Sequence, residues 1–134
     1  MTEFKELYYD NGDTYEGECQ GNIPHGNGKI IYGNPSIRGI SYTGEWKNGK
    51  RHGYGKLILN NDCYYEGYFK EDSYHGYGKE VDEDEVYEGE WYEGLRQGKG
   101  KLTFEYGYYE GEFKMHQYHG IGKLVDETDF TYVG

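Results

Sequence analysis

A tyrosine-anchored segment recurs five times along the 134-residue chain, and this internal repetition constrains the fold more than any other feature. Each copy begins Tyr-x-Gly, carries a Gly eleven residues after the tyrosine and another two residues later, and then a Lys. The copies begin at five anchor tyrosines, Tyr15, Tyr42, Tyr65, Tyr87 and Tyr109. Five matches at fixed internal offsets indicate an array in which each unit packs on its neighbours.

The intervals between anchors place the boundaries of the units. They are 27, 23, 22 and 22 residues, and a further Tyr-x-Gly follows after 23, at Tyr132. The longer first interval contains residues 32–40, whose glycines and proline predict an extended loop between units. Residues 4–12 resemble the second half of a unit, and a partial repeat begins at Tyr132. We therefore predict one repeat domain that spans residues 1–134.

Within a unit, large apolar residues and glycines alternate with polar residues at a period of two, which is typical of half-buried strands. The segment YEGLRQ between two such runs has the composition of a turn, so each unit is predicted to form one β-hairpin. With one hairpin per unit and a half-unit at each end, we expect an all-β ladder of roughly ten to twelve strands. One register makes every column consistent, and in the fourth unit it gives the pairs Tyr87/Leu102, Glu88/Lys101, Gly89/Gly100 and Trp91/Gly98. Registers slipped by two residues keep the same faces and stay open. Cross-strand pairs of this kind contribute roughly 0.2–1 kcal/mol each.

These segments, such as YEGEWYEGLRQGKGK and YTGEWKNGKRHGYGK, resemble MORN (membrane occupation and recognition nexus) repeats. The family pattern is YEGEW-x-x-G-x-x-HG-x-G, and the resemblance covers nearly the whole chain. It implies an elongated single-layer antiparallel sheet of stacked hairpins, curved into a trough. Several positions depart from the pattern: Cys19 replaces the aromatic residue, Tyr68 replaces the second glutamate, Gln97 replaces the histidine, and the first and third units lack the loop glycine.

Composition narrows the classes of partner. A net charge of -11 argues against nucleic acid, which needs clustered Lys and Arg, and less strongly against anionic lipid. Aromatic residues make up 19% of the chain, which argues against disorder despite the low hydropathy. Neither a secretory signal nor an apolar run of membrane-spanning length is visible. Cys19 and Cys63 are expected to be free thiols in a reducing compartment, so we predict a cytoplasmic protein, and the resemblance adds a cytoskeletal or membrane-peripheral location.

Three motifs that could carry chemistry are better explained by structure. The Gly-x-Gly-Lys runs lack the spacing of a phosphate-binding loop. The repeated Glu pairs form columns along the sheet, whereas catalysis needs one special site. The column histidines His25, His52, His75 and His119 are about 9–10 Å apart by strand spacing, too far to share a zinc ion. Only His116 lies close enough to His119 to be a second ligand. We therefore predict no enzyme activity, no catalytic residue, no metal site and no cofactor.

The aromatic columns are the candidate binding site. A single-layer sheet leaves one face without a covering layer, so these rings are expected to line an open groove, and Tyr and Trp are frequent hot-spot residues. The predicted groove residues are Tyr15, Tyr42, Trp46, Tyr65, Phe69, Tyr87, Trp91, Tyr109 and Phe113. We expect them to hold an extended or helical segment of a partner protein, with rim acids selecting a basic one.

Both end strands should present unpaired backbone, which invites self-association into homo-oligomers. The predicted edge residues are Phe4, Leu7, Tyr9, Phe130 and Tyr132. Two alternative functions stay open at this point. The first is phospholipid or membrane association, which the family name implies and the charge does not favour. The second is regulation of a larger enzyme, since similar arrays precede lipid-kinase or methyltransferase domains.

Overall fold

A computed structural model describes residues 1–126 and the strand at residues 131–133, and it places twelve antiparallel strands in one sheet in chain order. The strands are Glu3–Tyr8 (β1), Thr14–Gln20 (β2), Ile23–Ile31 (β3), Ser41–Lys47 (β4), Lys50–Ile58 (β5), Tyr64–Lys70 (β6), Ser73–Val81 (β7), Glu85–Tyr92 (β8), Leu95–Phe104 (β9), Gly107–Lys114 (β10), Gln117–Asp126 (β11) and Thr131–Val133 (β12). Strands β1 and β12 form the two edges, so the sheet is open. The predicted all-β, single-layer antiparallel ladder is confirmed.

The hairpin turns are short, and most of them use residues in the left-handed backbone region. Four of them pass through two consecutive residues with positive φ, Asn48–Gly49, Glu71–Asp72, Glu93–Gly94 and Met115–His116. Turns of this kind match the right-handed twist of the flanking strands. The second residue of each turn also donates its N–H to a carbonyl of the preceding hairpin, at 2.9–3.1 Å. Adjacent hairpins are therefore bonded at their turns as well as along their strands.

The predicted register is confirmed for three of the four pairs of the fourth unit, Tyr87/Leu102, Glu88/Lys101 and Gly89/Gly100. The prediction that Trp91 faces Gly98 was wrong, because a bulge after Gly89 shifts the register and Trp91 pairs with Arg96. Gly98 instead pairs with Phe113 of the next hairpin. An aromatic ring thus does stand opposite this glycine, but it belongs to the following unit.

The connection at residues 32–40 is only partly the extended loop that was predicted. Residues Pro35–Arg38 form one helical turn (α1), which begins where the side chain of Asn34 accepts the N–H of Ser36 at 3.1 Å. Buried Asp13 holds this connection against the start of the first hairpin. Its carboxylate pairs with Arg38 at 3.0 Å and accepts the N–H of Gly33 at 2.8 Å.

The two faces of the sheet differ in chemistry. We call the face that bears the anchor tyrosines the inner face and the opposite one the outer face. Two clefts on the inner face, of about 920 and 430 Å³, are each lined by residues from both margins of the sheet: connections between hairpins, such as Leu59 and Asn11, and hairpin turns, such as Asp72 and Gly49. The strands therefore bend toward the inner face, which forms the floor of the trough.

Candidate functional site

The anchor tyrosines are the structural centre of each unit. The ring of Tyr87 lies over the pair Gly89 and Gly100, where a Cβ on Gly100 would overlap the ring. Its hydroxyl donates to the carbonyl of Glu90, three residues later, at 2.8 Å, and the same bond recurs in all five units at 2.7–3.0 Å. Glycine at these positions is required because the ring occupies the space that a side chain would fill.

Edge-to-face aromatic contacts join the units into one row. Tyr42 meets Trp46 at 5.1 Å between ring centroids and Phe69 of the next hairpin at 5.0 Å. Equivalent contacts continue without a break from Tyr15 to Phe113, at 5.0–5.5 Å. Such pairs add about 0.5–1.5 kcal/mol each beyond area burial. The row is therefore a shared core that runs across the sheet.

The predicted groove residues are buried, and the expectation that they line an open groove is wrong in that respect. Their exposed fractions run from 0% to 7%. The residues concerned are Tyr15, Tyr42, Trp46, Tyr65, Phe69, Tyr87, Trp91, Tyr109 and Phe113. Contact between these rings and a partner stays a prediction, but their faces are already occupied by other side chains.

A second column of residues follows the anchor tyrosines and covers four of the five. Each member lies nine residues after its anchor, and we call the set the cover column: Pro24, Arg51, Tyr74, Arg96 and Tyr118. Tyr74 stacks on Tyr65 at 3.7 Å with parallel rings, and Tyr118 stacks on Tyr109 at 3.9 Å. The guanidinium groups of Arg51 and Arg96 lie over Tyr42 and Tyr87 at 5.9 and 4.9 Å. Flat side chains of two kinds, Arg and Tyr, therefore cover four of the five anchors and form the floor of the trough. Tyr118 is exposed, Arg51, Tyr74 and Arg96 are half-buried, and Pro24 is buried.

Ion pairs fix the arginines of the cover column. Arg51 contacts the carboxylate of Asp72 at 3.2 Å and donates to the backbone carbonyl of the same residue at 2.9 Å. Arg96 pairs with Glu80 at 2.8 Å, and its buried Nε has no hydrogen-bond partner among the residues that the structure describes. Since both guanidinium groups also lie on rings, the floor carries oriented positive groups flanked by acids.

Burial keeps the phenols of this core protonated. It raises the pKa of Tyr74 and of Tyr87 to about 12, and it raises the pKa of Tyr15, Tyr42 and Tyr65 further. The anchor hydroxyls therefore act as hydrogen-bond donors at neutral pH and have no role as bases. Both cysteines are free and buried, and burial raises the pKa of Cys19, so neither thiol is activated as a nucleophile.

The second glutamate of the pattern has a structural role that the sequence did not reveal. Glu90 accepts the N–H of Lys99 across the bulge. The same carboxylate-to-backbone bond occurs in four units, at 2.5–3.2 Å, and we call these residues the bulge acids: Glu18, Glu45, Glu90 and Glu112. The hydrogen bond from Asn27, and a second one from Thr2, lower the pKa of the Glu18 carboxyl.

The histidines also serve the backbone. The Nδ1 atom of His25 accepts the N–H of Asn48 at 3.2 Å, and Nδ1 of His75 accepts the N–H of Glu93 at 3.3 Å. His116 accepts from Arg96 at 3.4 Å, and burial lowers its pKa. Across residues 1–126 and 131–133, no group of three or more His, Cys, Asp or Glu is placed to hold a metal ion.

The predicted edge residues occupy different environments. Phe4 on β1 is 67% exposed and Tyr9 is 38% exposed, whereas Leu7 is partly buried against the core. Tyr132 lies in β12 and pairs with Leu124 of β11, while Phe130 lies outside the described residues. Self-association through these edges stays a prediction.

Two surfaces of the sheet were not predicted from the sequence, although the sequence contains a signal for each. The cover column is visible as a fixed offset of nine residues, but its alternation of Arg and Tyr concealed a common role. On the outer face Tyr54, Tyr68 and Tyr77 are exposed on neighbouring strands, at 46%, 49% and 56%. The departure of Tyr68 from the pattern was the signal for the second surface.

Comparison with protein-family models matches the MORN repeat at residues 15–34, 42–64, 65–85, 87–105 and 109–128. Comparison with curated proteins finds no significant match. No helix in the described part of the chain combines the length and the apolar character needed to cross a membrane. The matched segments begin at the five anchor tyrosines, and together with the stacked hairpins they show that the chain belongs to the MORN repeat family.

Proposed function

We propose that this protein is a non-catalytic interaction module that holds an extended or helical segment of a partner protein in its trough. MORN repeats generally serve as modules that contact proteins or membranes. The observation that carries the proposal is the floor of the trough, where Arg51 and Tyr74 of the cover column line a cleft of about 920 Å³ beside α1. A concave surface with aromatic groups and a few oriented charges suits a peptide segment.

The contact residues in this proposal are Arg51, Tyr74, Arg96 and Tyr118 of the cover column, in place of the buried rings behind them. Tyr118 is 47% exposed, and the Arg51 and Arg96 side chains are 18% and 15% exposed. Adjacent members lie two strands apart, or about 9.6 Å. A helical segment along the trough presents side chains seven residues apart every 10.5 Å or so, which nearly matches this spacing.

Affinity purification with mass spectrometry identifies the partner, and quantitative binding of variants then tests the site. Arg51→Tyr and Tyr118→Arg exchange the two residue types that the array already accepts in this column, so both proteins should fold. We expect each substitution to lower the affinity for the partner at least tenfold, because the side chain stays flat while its charge and hydrogen-bonding groups change.

The matched control is Thr43→Glu, which places on the outer face the residue that the other units carry there. It should leave binding unchanged. Full affinity in both folded exchange variants would rule out the trough as the binding site.

A further inference from the structure

The outer face carries a cluster of exposed tyrosines that the hairpin architecture does not require. Tyr54, Tyr68 and Tyr77, which we call the tyrosine cluster, lie on β5, β6 and β7 and are 46%, 49% and 56% exposed. Tyr54 and Tyr68 are directly paired across their strands, and their rings meet edge to face at 5.4 Å. Three large rings side by side are a patch of the kind that marks an interaction site.

The third unit gives up a stabilising contact to make this cluster. In the other four units the residue three after the anchor is a bulge acid, which accepts the N–H of the residue twelve after the anchor. In the third unit these two positions are Tyr68 and Tyr77. Departures from a local structural rule that cost a backbone hydrogen bond are typical of functional positions.

A cleft continues the cluster along the outer face. It has a volume of about 710 Å³, begins at Tyr77 and ends at Ile121, and passes over the backbone of Gly100. Lys99 and Lys101 are among its walls. From Tyr54 on β5 to Ile121 on β11 there are six strand spacings, or about 29 Å. The cluster and the cleft together form one strip that crosses the strands at right angles.

We propose that this outer strip binds a proline-rich segment of a partner protein in the polyproline II conformation. A chain that crosses the strands cannot pair with them, so its recognition must use rings and side-chain donors. Polyproline II has no internal hydrogen bonds, and its carbonyls are free to accept from tyrosine hydroxyls and lysine ammonium groups. Its turn of three residues advances about 9.3 Å, close to the two strand spacings of about 9.6 Å that separate Tyr54 from Tyr77.

Charge defines the ends of the ligand. Bulge acids lie at both ends of the strip: Glu45 accepts the N–H of Tyr54 at one end, and Glu112 accepts the N–H of Ile121 at the other, while the whole chain carries a net charge of -11. A strip of about 29 Å accommodates roughly nine residues at 3.1 Å each. The ligand is therefore a proline-rich segment of about that length with Arg or Lys at its ends.

The test titrates the full ¹⁵N-labelled chain with a synthetic peptide of nine prolines that has an arginine at each end. A glycine–serine peptide of equal length and charge is the control. We expect the proline peptide to shift amide signals along β5 to β11 on the outer strip, and the control peptide to leave them in place. Tyr68→Glu restores the residue of the other four units, so the variant should fold at least as stably as the wild type. Its affinity for the proline peptide should fall at least tenfold.

Inner-face variants separate this inference from the proposed function of the trough. Tyr118→Arg should leave affinity for the proline peptide unchanged. Absence of shifts at millimolar peptide, equal binding by Tyr68→Glu, or shifts confined to the cover column would each overturn the inference. Stronger binding of an uncharged oligosaccharide than of the peptide would also overturn it, because sugars stack on tyrosine rings as well.

Discussion

Replacing Tyr87 with phenylalanine removes one buried hydroxyl and keeps the ring. That hydroxyl donates to the carbonyl of Glu90 at 2.8 Å, while the ring contacts Trp91 at 5.1 Å and Phe113 at 5.0 Å. A hydrogen bond contributes about 1 kcal/mol net, and an acceptor left buried without a donor costs about 1–3 kcal/mol. We therefore expect Tyr87→Phe to lower the free energy of unfolding by about 1–2 kcal/mol, with most of the ring packing preserved.

Urea unfolding, followed by tryptophan fluorescence and far-ultraviolet circular dichroism, measures this change. The control is Tyr8→Phe, since Tyr8 is 76% exposed and its hydroxyl only contacts Glu6 at 3.1 Å. That variant should stay within about 0.5 kcal/mol of the wild type. A fall in the free energy of unfolding no larger than the control's would show that the carbonyl of Glu90 does not need the tyrosine hydroxyl as a donor. A loss of about 3–5 kcal/mol, the usual cost of deleting a whole ring, would show that the phenylalanine ring no longer packs.

Two further predictions concern ionisation and the turns. Burial raises the pKa of Tyr87 from 10.0 to about 12, so the phenols of the unfolded chain lose protons first, and the free energy of unfolding should fall as the pH rises from about 10 to 12. Urea midpoints across this range check the effect, and a flat profile would contradict it. Met115 has φ of 51° in its turn, so Met115→Asn should raise the melting temperature, with a gain of up to about 1 kcal/mol, because asparagine tolerates the left-handed region. Met115→Ala should give no such gain, and equal behaviour of the two variants would refute the argument from the turn.

The repeated offsets were sufficient to predict the sheet and most of its register. The Tyr–aliphatic and Glu–Lys columns favoured the register in which Tyr87 faces Leu102 and Glu88 faces Lys101, and both pairs are present. The bulge after Gly89 could not be predicted, because an extra residue in one strand leaves the period-two pattern on either side intact. The helical turn at Pro35–Arg38 was missed for a related reason, since a short turn has no periodicity of its own.

The candidate site was harder to predict than the fold. Aromatic residues at fixed offsets identify rings on one face, but they do not show what lies above them. The covering role of Arg51 and Tyr74 depends on strand curvature and on stacking over the anchors, and two unlike residue types share it. The outer cluster was hidden because Tyr68 appeared only as a departure from the pattern.

The central claim is that the floor of the trough contacts the partner, while the rings beneath it hold the hairpins together. Site-specific photo-crosslinking tests this claim most directly. A crosslinking residue at Tyr118 or at Ile37 of α1, which are 47% and 74% exposed, should capture the partner that the wild-type protein binds. The same residue at Ile31 on the outer face, 49% exposed, should not. Capture from Ile31 but from neither inner-face position would contradict the account.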